Sequence, residues 1–82
     1  MSLADLHAHL VSSGCNKHEA AITLIQACLD EGPQAGTELR NTLAALGYNR
    51  EHVRKVLETN AGSSPQLSAW NRLDADRYQA HQ

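Results

Sequence analysis

Apolar side chains recur at helical spacing in four stretches of the chain, at about residues 3–12, 17–31, 37–46 and 50–60. In the second stretch they form a broad stripe at i, i+3, i+4 and i+7, which is typical of a helix that buries one face. The pattern therefore predicts four helices that share one core. The predicted core residues are Ile22, Ile25, Leu29, Leu39, Leu43, Leu46, Val53, Val56 and Leu57.

Capping and turn residues mark the ends of these helices. The expected N-caps, whose side-chain oxygens accept hydrogen bonds from unpaired backbone N–H groups, are Ser2, Asn16, Thr37 and Asn49. Gly32 and Pro33 end the second helix, and residues 32–36 form a short connection. Gly47 follows the third helix, where a positive φ is needed. The third and fourth helices with this short turn make a helix-turn-helix unit.

The composition changes after Asn60. Glycine, serine and proline between residues 61 and 66 indicate a loop, and two short runs of alternating residues follow it. Trp70 lies in the first run and Tyr78 in the second, with two aspartates between the runs. This pattern predicts a β-hairpin over about residues 67–81, with a turn of three to four residues because no glycine is present. The predicted fold class is mainly α with a small β-hairpin.

The apolar and turn positions between residues 32 and 57 resemble the winged helix-turn-helix domains of bacterial transcription regulators. The run from Trp70 to Arg72, followed by Asp74, Asp76, Arg77 and Tyr78, is similar to the wing hairpin of such domains. The similarity covers about residues 20–80 and implies a single winged helix-turn-helix domain over residues 1–82. The chain departs from the pattern in its acidic net charge, in a wing tip without glycine and in a longer loop before the hairpin.

Charge is distributed unevenly along the chain. Seven Lys and Arg against nine Asp and Glu give a net charge of −2, divided as −3 over residues 1–36 and +1 over residues 37–82. DNA binding requires cations, and the second part supplies them where a winged helix would use them. The resemblance implies contacts to duplex DNA from Arg40, Asn49, Arg50, Arg54, Lys55, Arg72 and Arg77. The helix that starts at Arg50 would read the major groove.

Four features leave alternatives open. Glu51 and Glu58 are spaced to pair with Arg54 and Lys55, so the fourth helix is also typical of a solvated face with intrahelical ion pairs. The same scaffold serves protein–protein interaction modules that dock on or inhibit a larger complex without DNA. Trp70 is expected to pack within the hairpin, or else to anchor a protein partner. The first helix is amphipathic and could pair in a homodimer.

Metal and enzymatic chemistry have little support. His7 and His9 are two positions apart and point in different directions on a helix, and Cys15 with His18 has no second pair to complete a zinc site. Neither a nucleophile elbow nor a phosphate-binding glycine loop occurs in the sequence. We therefore expect neither a metal, a cofactor nor an enzyme, and at this length no effector pocket.

The cysteines and the hydropathy indicate the compartment. Cys28 falls in the helical apolar pattern and is expected to be buried, whereas Cys15 lies in a turn and is expected to be an exposed thiol. A disulfide between them would need an oxidising compartment. No stretch approaches the ~20 apolar residues of a membrane span, and no signal peptide is recognisable. The expectation is a cytoplasmic protein.

Overall fold

The computed structural model describes residues 3–62, 68–74 and 76–80. Its elements are α1 (Leu3–Ser12), α2 (Lys17–Asp30), β1 (Gln34–Ala35), α3 (Gly36–Ala45), α4 (Arg50–Thr59), β2 (Trp70–Asp74) and β3 (Arg77–Ala80). The chain is mainly helical with a small antiparallel sheet, an architecture compatible with a winged helix-turn-helix. The predicted cap at Ser2, the loop from 63 to 66 and the predicted hairpin ends at 67 and 81 lie outside the described residues.

Two of the predicted helix caps and the predicted turn glycine are confirmed. The Asn16 side chain accepts a hydrogen bond from the Glu19 amide at 2.8 Å at the start of α2. The Asn49 side chain accepts from the amides of Glu51 and His52 at 2.9 and 3.1 Å at the start of α4. Gly47 has a φ of +99°, as the turn between α3 and α4 requires.

The predicted N-cap at Thr37 is wrong, because α3 begins one residue earlier, at Gly36. The preceding Ala35 has no polar side chain, so the helix start is capped from a distant part of the chain. Asp76, just before β3, accepts from the Thr37 hydroxyl at 2.9 Å and from the Thr37 amide at 3.4 Å. Its backbone carbonyl accepts from the Gly36 amide at 2.6 Å. A residue of the hairpin turn thus caps α3, as Asn16 caps α2 and Asn49 caps α4.

The sheet contains a strand that the sequence did not predict. Its order is β1-β3-β2, and the short β1 pairs antiparallel with β3 in the register Gln34↔Tyr78 and Ala35↔Arg77. The connection predicted for residues 32–36 therefore includes a strand. Two residues are too few to show the alternation by which a strand is recognised in a sequence.

The β2–β3 hairpin is confirmed, with a tighter connection than predicted. The register pairs Trp70 with Ala80 and Asp74 with Arg77, and it shifts between Arg72 and Asp74. Only positions 75 and 76 lie between the strands, so the expected turn of three to four residues is wrong. The bulge takes up the extra residue, which allows the strands to pair closer to the tip.

The core lies between the helices and one face of the sheet. Its buried side chains are Leu10, Ala20, Ala21, Leu24, Ile25, Cys28, Leu29, Leu39, Leu43, Tyr48, Val53, Val56, Leu57, Trp70 and Tyr78. Ile22 and Leu46, predicted to be core residues, are only half-buried at its edge. Leu46 follows the last turn of α3 as its C-cap, where the chain already turns towards α4.

Trp70 is a core residue and not an anchor for a partner. Its side chain is fully buried, and its indole Nε1 donates a hydrogen bond to the carbonyl of Leu57 at 2.9 Å. Both the apolar ring and the polar N–H are therefore satisfied within the chain. The structural interpretation of this aromatic residue is confirmed.

The first helix packs on α2 and extends the core. Leu10 is buried and Leu6 is half-buried, while the His7 ring meets Tyr48 edge-on with 5.3 Å between centroids. Cys28 is buried as predicted, but Cys15 is half-buried against the core instead of exposed, and both are free thiols.

In the described part of the chain, no helix combines the length and the hydrophobicity that crossing a membrane requires.

Candidate nucleic-acid interface

The turn at Gly47 presents the first residues of α4 at the surface. Asn49 uses its side-chain oxygen for the helix cap, so only its amide nitrogen could contact a further group. Arg50 is exposed, and its Nη1 donates to the Asn41 side chain on α3. The Asn49 cap fixes the first residue of α4. The hydrogen bond to Asn41 holds the Arg50 guanidinium beside α3.

Arg54 lies between two carboxylates on its own helix. Its Nε donates to Glu51 at 3.0 Å, and its Nη1 donates to Glu58 at 2.9 Å. The hydrogen bond from Arg54 and the nearby charges of Arg54, Lys55 and Arg40 lower the pKa of Glu51. The hydrogen bond to Glu51 in turn raises the pKa of Arg54. The middle of α4 therefore carries the intrahelical ion pairs that the spacing of its residues predicts. Arg54 is paired with both Glu51 and Glu58.

Arg40 connects the helical and the sheet parts of this surface. Its Nη1 lies 3.7 Å from the Asp76 carboxylate, and its Nη2 donates to the Thr37 hydroxyl at 2.9 Å. Burial raises the pKa of Tyr78, and the charges of Arg72 and Arg40 oppose that rise. Because Arg40 also acts on Glu51, its guanidinium lies within electrostatic range of both α4 and the hairpin.

The two arginines of the hairpin lie on different faces of the sheet. Arg72 is paired with Tyr78 across the strands, and directly opposite residues share a face. Arg77 precedes Tyr78, so the alternation of side chains along a strand places it on the other face, where it is exposed. Arg72 therefore lies on the face of the sheet that carries Tyr78, close to Arg40, whereas Arg77 lies on the opposite face.

The structure thus brings together six of the seven residues that the sequence proposed. Arg40 of α3 pairs with Asp76 of the hairpin, and Arg50 of α4 donates to Asn41 of α3, so the three elements are linked. We call the α3–α4–β2 surface the set formed by Arg40, the α4 residues Asn49, Arg50, Glu51, Arg54, Lys55 and Glu58, and Arg72 of β2. The sequence did not identify Asp76 as part of it. Its partner Thr37 is 39 residues away in the chain, and no local pattern signals a contact of that separation.

Histidines and cysteines do not form a metal centre in the described residues. His18 of α2 and His52 of α4 stack with 5.9 Å between ring centroids. No group of three or more metal-binding side chains is found among residues 3–62, 68–74 and 76–80.

Comparison of the chain with models of known families, with curated proteins and with solved structures finds no match.

Proposed function

We propose that this chain is a small cytoplasmic DNA-binding protein, a transcriptional regulator or a factor of a mobile element. It would contact duplex DNA through α4 and through the hairpin. The observation that supports this function is the α3–α4–β2 surface, where cations of three elements meet beside the N-terminus of a helix that follows a glycine turn. That combination is what a winged helix uses to bind DNA.

The position of each residue on this surface suggests which part of the DNA it would contact. Arg50, exposed at the start of α4, is the candidate for reading a base edge in the major groove, since the first residues of a recognition helix make such contacts. Arg40 and Lys55 would neutralise phosphates, and Arg72 would contact the flanking backbone from the hairpin. Arg54 would act only after exchanging one of its carboxylates for a phosphate.

One observation favours a second candidate function, a protein–protein interaction module. The middle of α4 presents Arg54 between Glu51 and Glu58, with both carboxylates largely exposed. Such a mixed surface attracts phosphate weakly, but it is complementary to a protein surface of alternating charge. In this alternative, α4 docks on a larger complex and the basic residues give the contact its orientation.

A titration of labelled duplexes, followed by fluorescence anisotropy at two salt concentrations, tests the DNA-binding function. We expect binding tighter than ~10⁻⁴ M at low salt, the weak end of ordinary non-specific association. Arg72→Ala should weaken binding and reduce the salt slope by about one unit, as the loss of one phosphate contact does. Arg77→Ala removes the same charge from the other face of the hairpin and is the matched control.

The base-reading role of Arg50 has its own readout. Arg50→Ala should cost about 1–3 kcal/mol on a selected duplex and much less on unrelated sequences. If no duplex binds more tightly than ~10⁻⁴ M at low salt, the DNA-binding function is wrong and the protein-interaction module replaces it. Equal losses from Arg72→Ala and Arg77→Ala would show that net charge matters and the α3–α4–β2 surface does not.

A further inference from the structure

A cleft of about 420 Å³ opens on the side of the molecule where α1 lies across the helical core. Its walls come from α1, from the C-terminal part of α2, from β1 and from α3. The described lining residues are Leu3, Leu6, Ala27, Cys28, Glu31, Gln34 and Thr42. This volume is within the range of clefts that bind small molecules. The sequence predicted no pocket of this kind, and we call it the α1–α3 cleft.

The cleft has an apolar wall and a polar wall. Leu3 and Leu6 of α1 and Ala27 and Cys28 of α2 line its apolar part. Cys28 is buried, and its small, weakly polar side chain belongs to the apolar wall. A ligand that fills the cleft therefore needs an apolar body to replace water along these side chains.

The polar wall is rich in hydrogen-bond acceptors. The Thr42 hydroxyl donates its one proton to the carbonyl of Glu38 at 2.9 Å, which leaves the lone pairs of its oxygen. The Gln34 amide nitrogen donates one of its two protons to the carbonyl of Cys28 at 2.8 Å, so the side chain keeps its amide oxygen as an acceptor and one N–H as a donor. Glu31 is exposed and adds a carboxylate. Acceptors therefore outnumber donors on this wall, which favours a ligand whose polar end donates hydrogen bonds.

The charge of the lining residues further restricts the head group of the ligand. Among the described lining residues Glu31 is the one that carries a charge, and no Lys, Arg or His is present to receive an anion. A carboxylate or phosphate ligand would be repelled, a neutral alcohol would gain hydrogen bonds only, and an ammonium group would gain both hydrogen bonds and charge pairing.

We propose that the α1–α3 cleft is a binding site for a short primary alkylamine. The alkyl chain lies between α1 and α2, and the ammonium group donates to Glu31, Gln34 and Thr42. The cleft lies apart from the residues of the α3–α4–β2 surface, so amine binding and DNA binding can each be true or false without the other.

An NMR titration with three probes of equal length tests the site. Hexylamine, hexanol and hexanoate share the alkyl chain and differ only in the head group. Hexylamine should cause saturable shifts of backbone amides that are confined to the lining residues, hexanol should bind about tenfold more weakly, and hexanoate should not bind. Equal affinity for the three probes, or shifts spread over other surfaces, would overturn the proposal.

Two variants and one control variant distinguish a loss of ligand binding from a loss of folding. Glu31→Gln removes the charge from an exposed position and should weaken hexylamine binding about tenfold, while the neighbouring Asp30→Asn, outside the cleft, should leave it unchanged. Ala27→Leu fills the apolar wall and should abolish binding, with circular dichroism confirming the fold. Unchanged binding by Glu31→Gln would refute the assignment, as would concentration-dependent dimerisation that covers the cleft with a second copy.

Discussion

At the scale of single residues, the turn between α3 and α4 depends on the backbone freedom of Gly47. A β-carbon at this position would meet no atom within 4 Å, so a substitution costs only the strain of a φ of +99°. Gly47→Val should therefore destabilise the protein by roughly 1 kcal/mol or more, and Gly47→Asn by less, because asparagine tolerates positive φ better. Urea denaturation of the three proteins measures the difference. Equal stability of wild type and the valine variant would contradict this view of the turn.

Residue-scale features were predictable where their cause is local. Asn16, Asn49 and Gly47 follow from the chemistry of helix ends, which involves partners only a few residues away. Thr37 illustrates the limit, since its type suits an N-cap but the cap is Asp76, brought to it by the hairpin. A contact between residues 39 apart depends on the whole fold, so the sequence could not reveal it.

At the scale of elements, α3 and the hairpin meet so closely at Gly36 that a β-carbon fits there only if the Asp76 carboxylate moves. A β-carbon there would lie 2.6 Å from Oδ1 of Asp76 and 3.1 Å from Cε2 of Tyr78. Gly36→Ala must displace the Asp76 carboxylate, which caps α3 and pairs with Arg40, so we expect a loss of about 1–3 kcal/mol.

A double-mutant cycle decides where the cost of Gly36→Ala arises. In an Asp76→Ala background the nearest obstacle is gone, so the alanine at position 36 should cost clearly less. Thermal unfolding of the four proteins, followed by circular dichroism, gives the coupling energy. Simple additivity would show that the close contact with Asp76 is not the cause.

The packing of α3 on α4 can be tested with two leucines of the same helix. Leu43 is fully buried, whereas Leu46, at the C-cap, is half-buried. Leu43→Ala should cost about 2–5 kcal/mol, and Leu46→Ala should cost less because its site is open to water on one side. Chemical denaturation measures both. A Leu43→Ala variant as stable as the wild type would show that the order of burial along α3 is wrong.

Elements were predictable from the sequence in proportion to their length. The four helices have ten to fourteen residues each, enough for the apolar period to repeat, and their ends agree with the predictions to within about one residue. The hairpin was recognisable from Trp70 and Tyr78. β1 was not, because its two residues form a strand only through their pairing with β3.

At the scale of the whole molecule, we expect a monomer. The leucines of α1 that could have joined two copies contact the chain's own core, with Leu10 buried and Leu3 and Leu6 partly buried. Among the described residues of α1, Val11 is the large apolar side chain that stays exposed, and it is too small a patch for a stable dimer. Sedimentation equilibrium at high micromolar concentration should give the mass of one chain, 8.9 kDa. Twice that mass, abolished by Val11→Glu, would show that α1 forms an interface.

Some features of the candidate site could be predicted from the sequence, and others depend on the assembled fold. The residue types and their positions on elements indicated the cations of the α3–α4–β2 surface, and helical spacing indicated the pairing of Arg54. The separation of Arg77 from Arg72 depended on the register of the hairpin. The α1–α3 cleft depended on how α1 lies across three other elements, a property of the assembled fold with no local pattern.

The balance of charge on α4 supplies the last prediction. Glu51→Gln with Glu58→Gln releases Arg54 from both ion pairs and changes the net charge from −2 to 0. If the chain binds DNA, the double variant should bind duplexes more tightly, with a salt slope steeper by about one unit because Arg54 gains a phosphate. Glu19→Gln with Asp30→Asn makes the same change in net charge on α2 and should alter the slope little. Anisotropy titrations at several salt concentrations measure both pairs. Equal effects of the two pairs would show that the overall charge limits binding, and no effect of either would favour the protein-interaction module.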